Sequence, residues 1–190
     1  MKHVTVRIQG TTPLLCNRFT EEAQMKASEQ TGASIVGDKG SPHEQAEKKL
    51  YRDNGHLVIP SPNILKSITE GGTFFKAGRS KVTTQKKSLI PAAVMIVAAA
   101  IPIESKEGWE VDTRPVRIPA TGGRILAHRP MFNDWVLEFE MEVDTDIMST
   151  KLMREIVDAA GKRIGLGDFR PECKGPFGRY VVTKWAEKDA

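Results

Sequence analysis

Residues Gly161–Trp185 read GKRIGLGDFRPECKGPFGRYVVTKW. The stretch opens where a helix is expected to end and closes on an expected strand, Tyr180-Val181-Val182-Thr183-Lys184-Trp185. Gly165, Gly167, Gly175 and Gly178 lie between, interleaved with Arg163, Arg170, Lys174 and Arg179. Glycine permits positive φ and close approach of another backbone, so such a loop can wrap an extended anion that the basic side chains attract. A helix C-cap followed by a long turn, whose glycines satisfy only geometry, accounts for the same residues.

Working outward, Ser149-Thr150 caps a helix with Leu152, Met153, Ile156, Val157 and Ala160 inward. Lys162 and Arg163 suit its negative C-terminal end and are therefore not counted as ligands. Trp135 to Asp144 alternates: Leu137, Phe139, Met141 and Val143 face one way, and Glu138, Glu140, Glu142 and Asp144 the other. That acidic face repels phosphate. Residues 114–132 read as a basic β-hairpin with Thr121-Gly122-Gly123 at its tip, carrying Arg114, Arg117, Arg124, Arg129 and His128. A finger across a nucleic-acid backbone and a plain exposed hairpin are both compatible with it. Leu89–Ile103 is ambiguous in type and is read as strand with a break near Pro102.

Across 61–90, Lys66, Lys76, Arg79, Lys81, Lys86 and Lys87 face a single acidic residue, Glu70. Most charge runs are solvated loops; Phe74 and Phe75 beside this one fit base stacking and equally fit anchoring of the loop to the core, and the reading leans to binding. Ser61-Pro62 opens a helix with Ile64, Leu65 and Ile68 on one face, ended by Gly71-Gly72. Leu57-Val58-Ile59 is a short buried strand before it. Ser41-Pro42-His43-Glu44 carries a capping box for a helix running to about Arg52. Thr20 to Gly40 reads as a surface insertion, and residues 3–9 as an alternating strand.

The 190 residues fit one domain with insertions, and 39% hydrophobic with 27% charged residues describe a soluble globular protein. A net charge of +4 admits a nucleic-acid partner without demanding one. Cys16 and Cys173 read as reduced thiols, and the N-terminus lacks a signal-peptide pattern, so a cytoplasmic location is expected. His3, His43, His56 and His128 are scattered. No metal spacing, phosphate loop or nucleophile elbow appears, and no cofactor or metal is expected.

The chain resembles the RAMP superfamily of CRISPR-associated proteins. Three stretches carry the resemblance: Gly165-Leu-Gly167 … Gly175-Pro-Phe-Gly178 between last helix and last strand, Ile59-Pro60-Ser61-Pro62-Asn63-Ile64-Leu65-Lys66 at a strand-to-helix entry, and the opening Gln9-Gly10-Thr11-Thr12-Pro13-Leu14-Leu15. Asp168 to Lys174 separate the glycine pairs and Pro176 interrupts the second, which departs from the usual pattern. The resemblance is closest to backbone subunits that polymerise along a guide RNA, which are typically longer. A compact relative of phage or prophage type is the expectation.

The resemblance implies one α+β domain over 1–190, with a ferredoxin-like or RRM-like antiparallel sheet and helices on one face. A surface insertion at 20–40 and a basic insertion and hairpin region at 73–132 would be added to it. It implies non-catalytic, largely sequence-independent binding of single-stranded RNA or DNA by a subunit that multimerises along the strand. Lys66, Lys76, Arg79, Lys81, Lys86, Lys87 and Lys174 would hold phosphates, with Arg117, Arg124, Arg129, Arg170 and Arg179 first among the ligands because the guanidinium fork suits phosphate. Gly165, Gly167, Gly175 and Gly178 would approach the sugar-phosphate backbone, and Phe74, Phe75 and Phe169 are stacking candidates. Two other readings stay open. One is a metal-free endoribonuclease of the guide-processing type with His43 or His56 as base; the other is a phage assembly protein without nucleic acid.

Overall fold

The structure is a computed structural model that describes residues 1–20, 40–117 and 122–189. In chain order the first elements are β1 (Lys2–Gly10), β2 (Leu14–Leu15), α1 (Pro42–Glu47), β3 (Arg52–Asp53), β4 (His56–Pro60) and α2 (Ser61–Gly71). A 3-10 turn, Gly72–Phe74, extends α2. There follow β5 (Lys76–Ala77), β6 (Ser80–Lys81), α3 (Ile90–Ala93), β7 (Val94–Ile96) and β8 (Ala100–Pro102). The chain closes with β9 (Glu110–Arg117), β10 (Arg124–Phe132), β11 (Val136–Val143), α4 (Thr150–Ala159) and β12 (Tyr180–Asp189).

Alternation along β1 buries Val4, Val6 and Ile8, and along β11 Leu137, Phe139, Met141 and Val143. The two strands pair antiparallel with Val4 opposite Met141 and Val6 opposite Phe139, so both apolar rows face the same side. The sheet runs β12-β1-β11-β7 with every neighbouring pair antiparallel. Last, first, third, second is the ferredoxin-like order, made by the crossovers β1 to β7 through α2 and β11 to β12 through α4. Ile64 and Ile68 of α2 and Met153, Ile156 and Val157 of α4 join the β1 and β11 rows in one buried cluster, so the helices cover one face. The expected α+β class with helices on one face therefore holds.

The other face is charged and largely compensated. Arg7 Nη2 donates to Glu104 at 2.6 Å and Nη1 to Glu138 at 3.2 Å, while Lys184 Nζ reaches Glu138 at 3.2 Å. These bonds, Lys184's first, hold the Glu138 carboxyl below its ordinary range. The sequence pattern shows the acidic row of β11 alone; the structure sets cations from β1 and β12 beside it.

Several local expectations change. Ser41 and Glu44 do form the reciprocal capping box, with Ser41 N–H donating to Glu44 at 2.7 Å and Glu44 N–H to Ser41 Oγ at 3.3 Å. The helix nevertheless stops at Glu47 rather than Arg52, because Leu50 turns into the core and the Lys49 amine donates to the His128 carbonyl at 2.9 Å. Ser61 does not cap α2. Its N–H donates to Ala99 O at 2.9 Å, and Pro60 occupies the cap position without a side-chain bond. Leu89–Ile103 holds a helical turn begun by Leu89-Ile90-Pro91 and two short strands, and the break falls at Val97–Ala99 instead of Pro102. The hairpin begins earlier than expected, at Glu110, and β10 also pairs with β2. Residues 118–121, which include the tip residue Thr121, and the 21–39 part of the expected insertion lie outside the described residues.

Candidate nucleic-acid interface

The glycine-rich loop is built from its own close contacts. α4 runs on into a π-helical turn, Ala160–Ile164, that ends at Gly165. At Gly178 φ is +70° and an added Cβ would stand 1.7 Å from Leu166 O; at Gly167 φ is +78° and the nearest atom would be Leu15 O at 2.4 Å. Hydrogen bonds cross the same gaps: Leu166 N–H to Gly178 O at 2.9 Å, Gly178 N–H to Pro13 O at 2.8 Å and Asp168 N–H to Leu15 O at 2.8 Å. Backbone meets backbone here. The loop is thus sewn both to the turn that follows β1, at Pro13, and to β2, at Leu15.

Beside it lies a cleft of about 220 Å³ between the loop and the first half of α2. Cys16, Ile59, Ser67 and Leu166 form its buried floor. Ser67 Oγ donates to Gly165 O at 2.8 Å and lies 3.2 Å from the Tyr180 hydroxyl, which ties helix, loop and last strand together. Burial raises the Tyr180 hydroxyl well above its ordinary range and pushes the Cys16 thiol up to about 12, so neither ionises near neutrality. On the rim, Asp168 accepts from Arg129 Nε at 2.9 Å and from Asn17 Nδ2 at 3.2 Å. Arg170 donates from Nη1 to Gly167 O at 2.9 Å and from Nε to Glu172 at 2.8 Å. Lys66 projects at the rim, exposed, and makes no ion pair among the described residues. Among the described residues the cleft lining therefore offers one cation without an ion pair, the amide of Asn63, and a fixed backbone edge at Gly165–Gly167.

Comparison with solved structures gives a chain of the Type III-B Cmr-beta bound to cognate target RNA, determined by cryo-EM. The TM-score is 0.54 at 14% sequence identity, over 98% of this chain and 61% of that one. The likeness is one of fold. Cmr6 from Pyrococcus furiosus also matches, at a TM-score of 0.45 and 13% identity, over 96% of this chain and 99% of that one. This chain spans 61% of the length of the first. No protein-family model matches the chain, and no curated protein matches its sequence. The fold expectation drawn from the RAMP resemblance is met.

Of the residues picked from sequence, Lys66, Gly165, Gly167 and Arg170 meet at the cleft. Arg129 is close by but inward, 12% exposed and engaged with Asp168. Arg117 and Arg124 sit opposite each other at the far end of the hairpin, both exposed. Arg114 is paired with Asp112 at 2.8 Å and lies 4.8 Å from the Phe177 ring centroid. Arg179 donates to the Lys162 carbonyl, and Lys174, at φ +63°, is exposed beside Gly175.

Lys76, Arg79, Lys81, Lys86 and Lys87 are exposed beyond the C-terminal end of α2, away from the cleft lining. Phe75 packs against the core, Phe169 is 36% exposed beside Phe177, and Phe74 is 48% exposed beneath Arg163. His43 stacks on Trp109 at 4.8 Å, and no histidine lines the cleft among the described residues. Asn17, Tyr51 and Asp168 lie in three separate loop segments with no periodicity to connect them, so no sequence signal joins them to the cleft. Asn63 is readable, since a helical spacing of three puts it beside Lys66 and a spacing of four beside Ser67.

Proposed function

We propose that this chain binds single-stranded nucleic acid in the cleft between the glycine-rich loop and α2, without cleaving it. The observation that carries the reading is the convergence of Lys66 with Gly165, Gly167 and Arg170, two stretches distant in sequence, on one concave surface. A lysine with no carboxylate partner among the described residues, beside a rigid backbone edge, suits a phosphate and reads no base. RNA is placed first because the similar cryo-EM structure is bound to target RNA. The lining residues support binding over catalysis: the ionisable groups buried there, Cys16 and Tyr180 behind it, are held neutral, and the histidines that would serve as base lie elsewhere. Coating of a strand by successive copies, with the hairpin and the basic end of α2 as further contacts, belongs to the same proposal.

Fluorescence anisotropy with labelled single-stranded RNA, single-stranded DNA and duplex DNA over a salt series tests it. Preference for a single strand, similar across sequences, is expected. Lys66→Ala should weaken binding for every sequence and reduce the salt slope by about one. An unchanged slope for Lys66→Ala removes the cleft from the site, and absence of binding to all three at low salt overturns the reading in favour of an assembly role.

A further inference from the structure

A second surface at the other end of α2 is not used by the cleft. Phe74 closes the 3-10 turn that extends the helix and is 48% exposed, although its neighbour Phe75 packs against the core. The Arg163 guanidinium carbon lies 4.6 Å from the Phe74 ring centroid, within cation–π range. Arg163 is itself exposed and pairs with no carboxylate among the described residues. Its direction is set from within, because it belongs to the π-helical turn whose Ala160, Gly161 and Ile164 are buried. Gly161 sits so close to β12 that an added Cβ would stand 2.2 Å from Tyr180 O, so this turn has no slack. π turns inserted in α-helices often re-aim functional side chains. The usual explanation of a basic residue at a helix end, charge against the terminal carbonyls, does not require a ring beneath it.

Next to this pair is a shallow concavity lined by Thr73, Lys81, Thr83, Thr84, Lys86 and Lys87. Thr84 Oγ1 accepts from the Lys86 and Lys87 N–H groups at 3.4 and 3.2 Å, which fixes the turn bearing both lysines. We infer that Phe74 and Arg163 form a base-stacking station for the same single strand, with Lys81, Lys86 and Lys87 on its adjoining phosphates. Phe74 supports the guanidinium carbon of Arg163 from one side, and a nucleobase lies on the other. Arginine planes accept bases in this way, and stacking tolerates any base because every base has a π-face. α2, at 11 residues, spans about 16 Å, so a strand must run past several nucleotides to fill both cleft and station.

The inference rests on the proposed function, and the test separates the two. Anisotropy is measured with a graded series of single-stranded RNA lengths, together with oligonucleotides carrying 2-aminopurine at successive positions. Phe74→Ala and Arg163→Lys should weaken binding of the longer strands by about 5- to 150-fold. Lys66→Ala should weaken short and long strands alike, and the shortest strands should not distinguish Phe74→Ala from wild type. Arg163→Lys keeps the charge, so its salt slope should stay at the wild-type value while stacking is lost. One 2-aminopurine position should be quenched by wild type and recover in Phe74→Ala. If wild type binds but both variants match it at every length with no position quenched, the station is wrong and the cleft stands. If wild type binds no strand, both proposals fall. Both side chains are on the surface, and unchanged thermal unfolding of the variants confirms that folding is intact.

Discussion

At Gly178 a side chain has nowhere to go, since its Cβ would press on Leu166 O at a φ of +70°. Gly178→Ala should cost about 3 kcal/mol or more, combining left-handed strain with overpacking, and thermal or denaturant unfolding reads it directly. A variant as stable as wild type would show that the loop can shift. The two cysteines give a second residue-scale prediction. Cys173 is exposed, whereas Cys16 is buried with its thiol pushed up to about 12. One thiol should therefore react promptly with a disulfide reagent at neutral pH and the other only on unfolding; equal rates would contradict the buried floor of the cleft. At this scale the sequence was half legible. The glycines of 165–178 marked a special loop, but their spacing left ligand and geometry equally open. Leu15, whose carbonyl crowds Gly167, lies in another element far back in the chain, and nothing local announces it.

At the scale of elements, α1 is held by its capping box. The Glu44 carboxyl sits below its ordinary range chiefly because the Ser41 N–H donates to it, with the Ser41 hydroxyl next. A carboxyl lowered in the folded state adds stability above its unfolded pKa and loses it as the pH falls through the folded value. The stability gap between wild type and Glu44→Gln should hold at neutral pH and close as the pH drops through the carboxylate range. A gap independent of pH would mean that the charge plays no part. Local signals read well where they were local: Ser41-Pro42-His43-Glu44 fixed a helix start, and the alternation of Val136–Val143 fixed a strand and its buried face. They failed where tertiary contacts decide. Leu50 and Lys49 are drawn to the core and to His128, which ends α1 early, and the Ser61 N–H is taken by Ala99. Helix polarity alone accounts for Arg163 in the sequence, whereas the structure sets its guanidinium 4.6 Å from the Phe74 ring centroid.

At the scale of the whole molecule, the two faces of the central sheet differ: helices cover one and charged side chains the other. The open face of the sheet sets Arg7 and Lys184 against Glu104 and Glu138, while Lys66 on α2 and Lys76, Arg79, Lys81, Lys86 and Lys87 beyond its C-terminal end are exposed and make no ion pair among the described residues. In the proposed binding mode a strand along α2 meets these cations without crossing the compensated face. The sheet order has a further consequence, for how the chain becomes this molecule. β1 precedes the other strands in chain order yet is the inner strand between β11 and β12, and both of its partners follow it by more than 120 residues. Until Val136–Val143 and Tyr180–Asp189 arrive, Val4, Val6 and Ile8 have no ladder to join. Closing such long loops makes folding slow, in the range of domains dominated by non-local pairing. A nascent chain therefore carries that apolar row without its ladder until the residues of β11 and β12 have followed, which exposes it to aggregation in the interval.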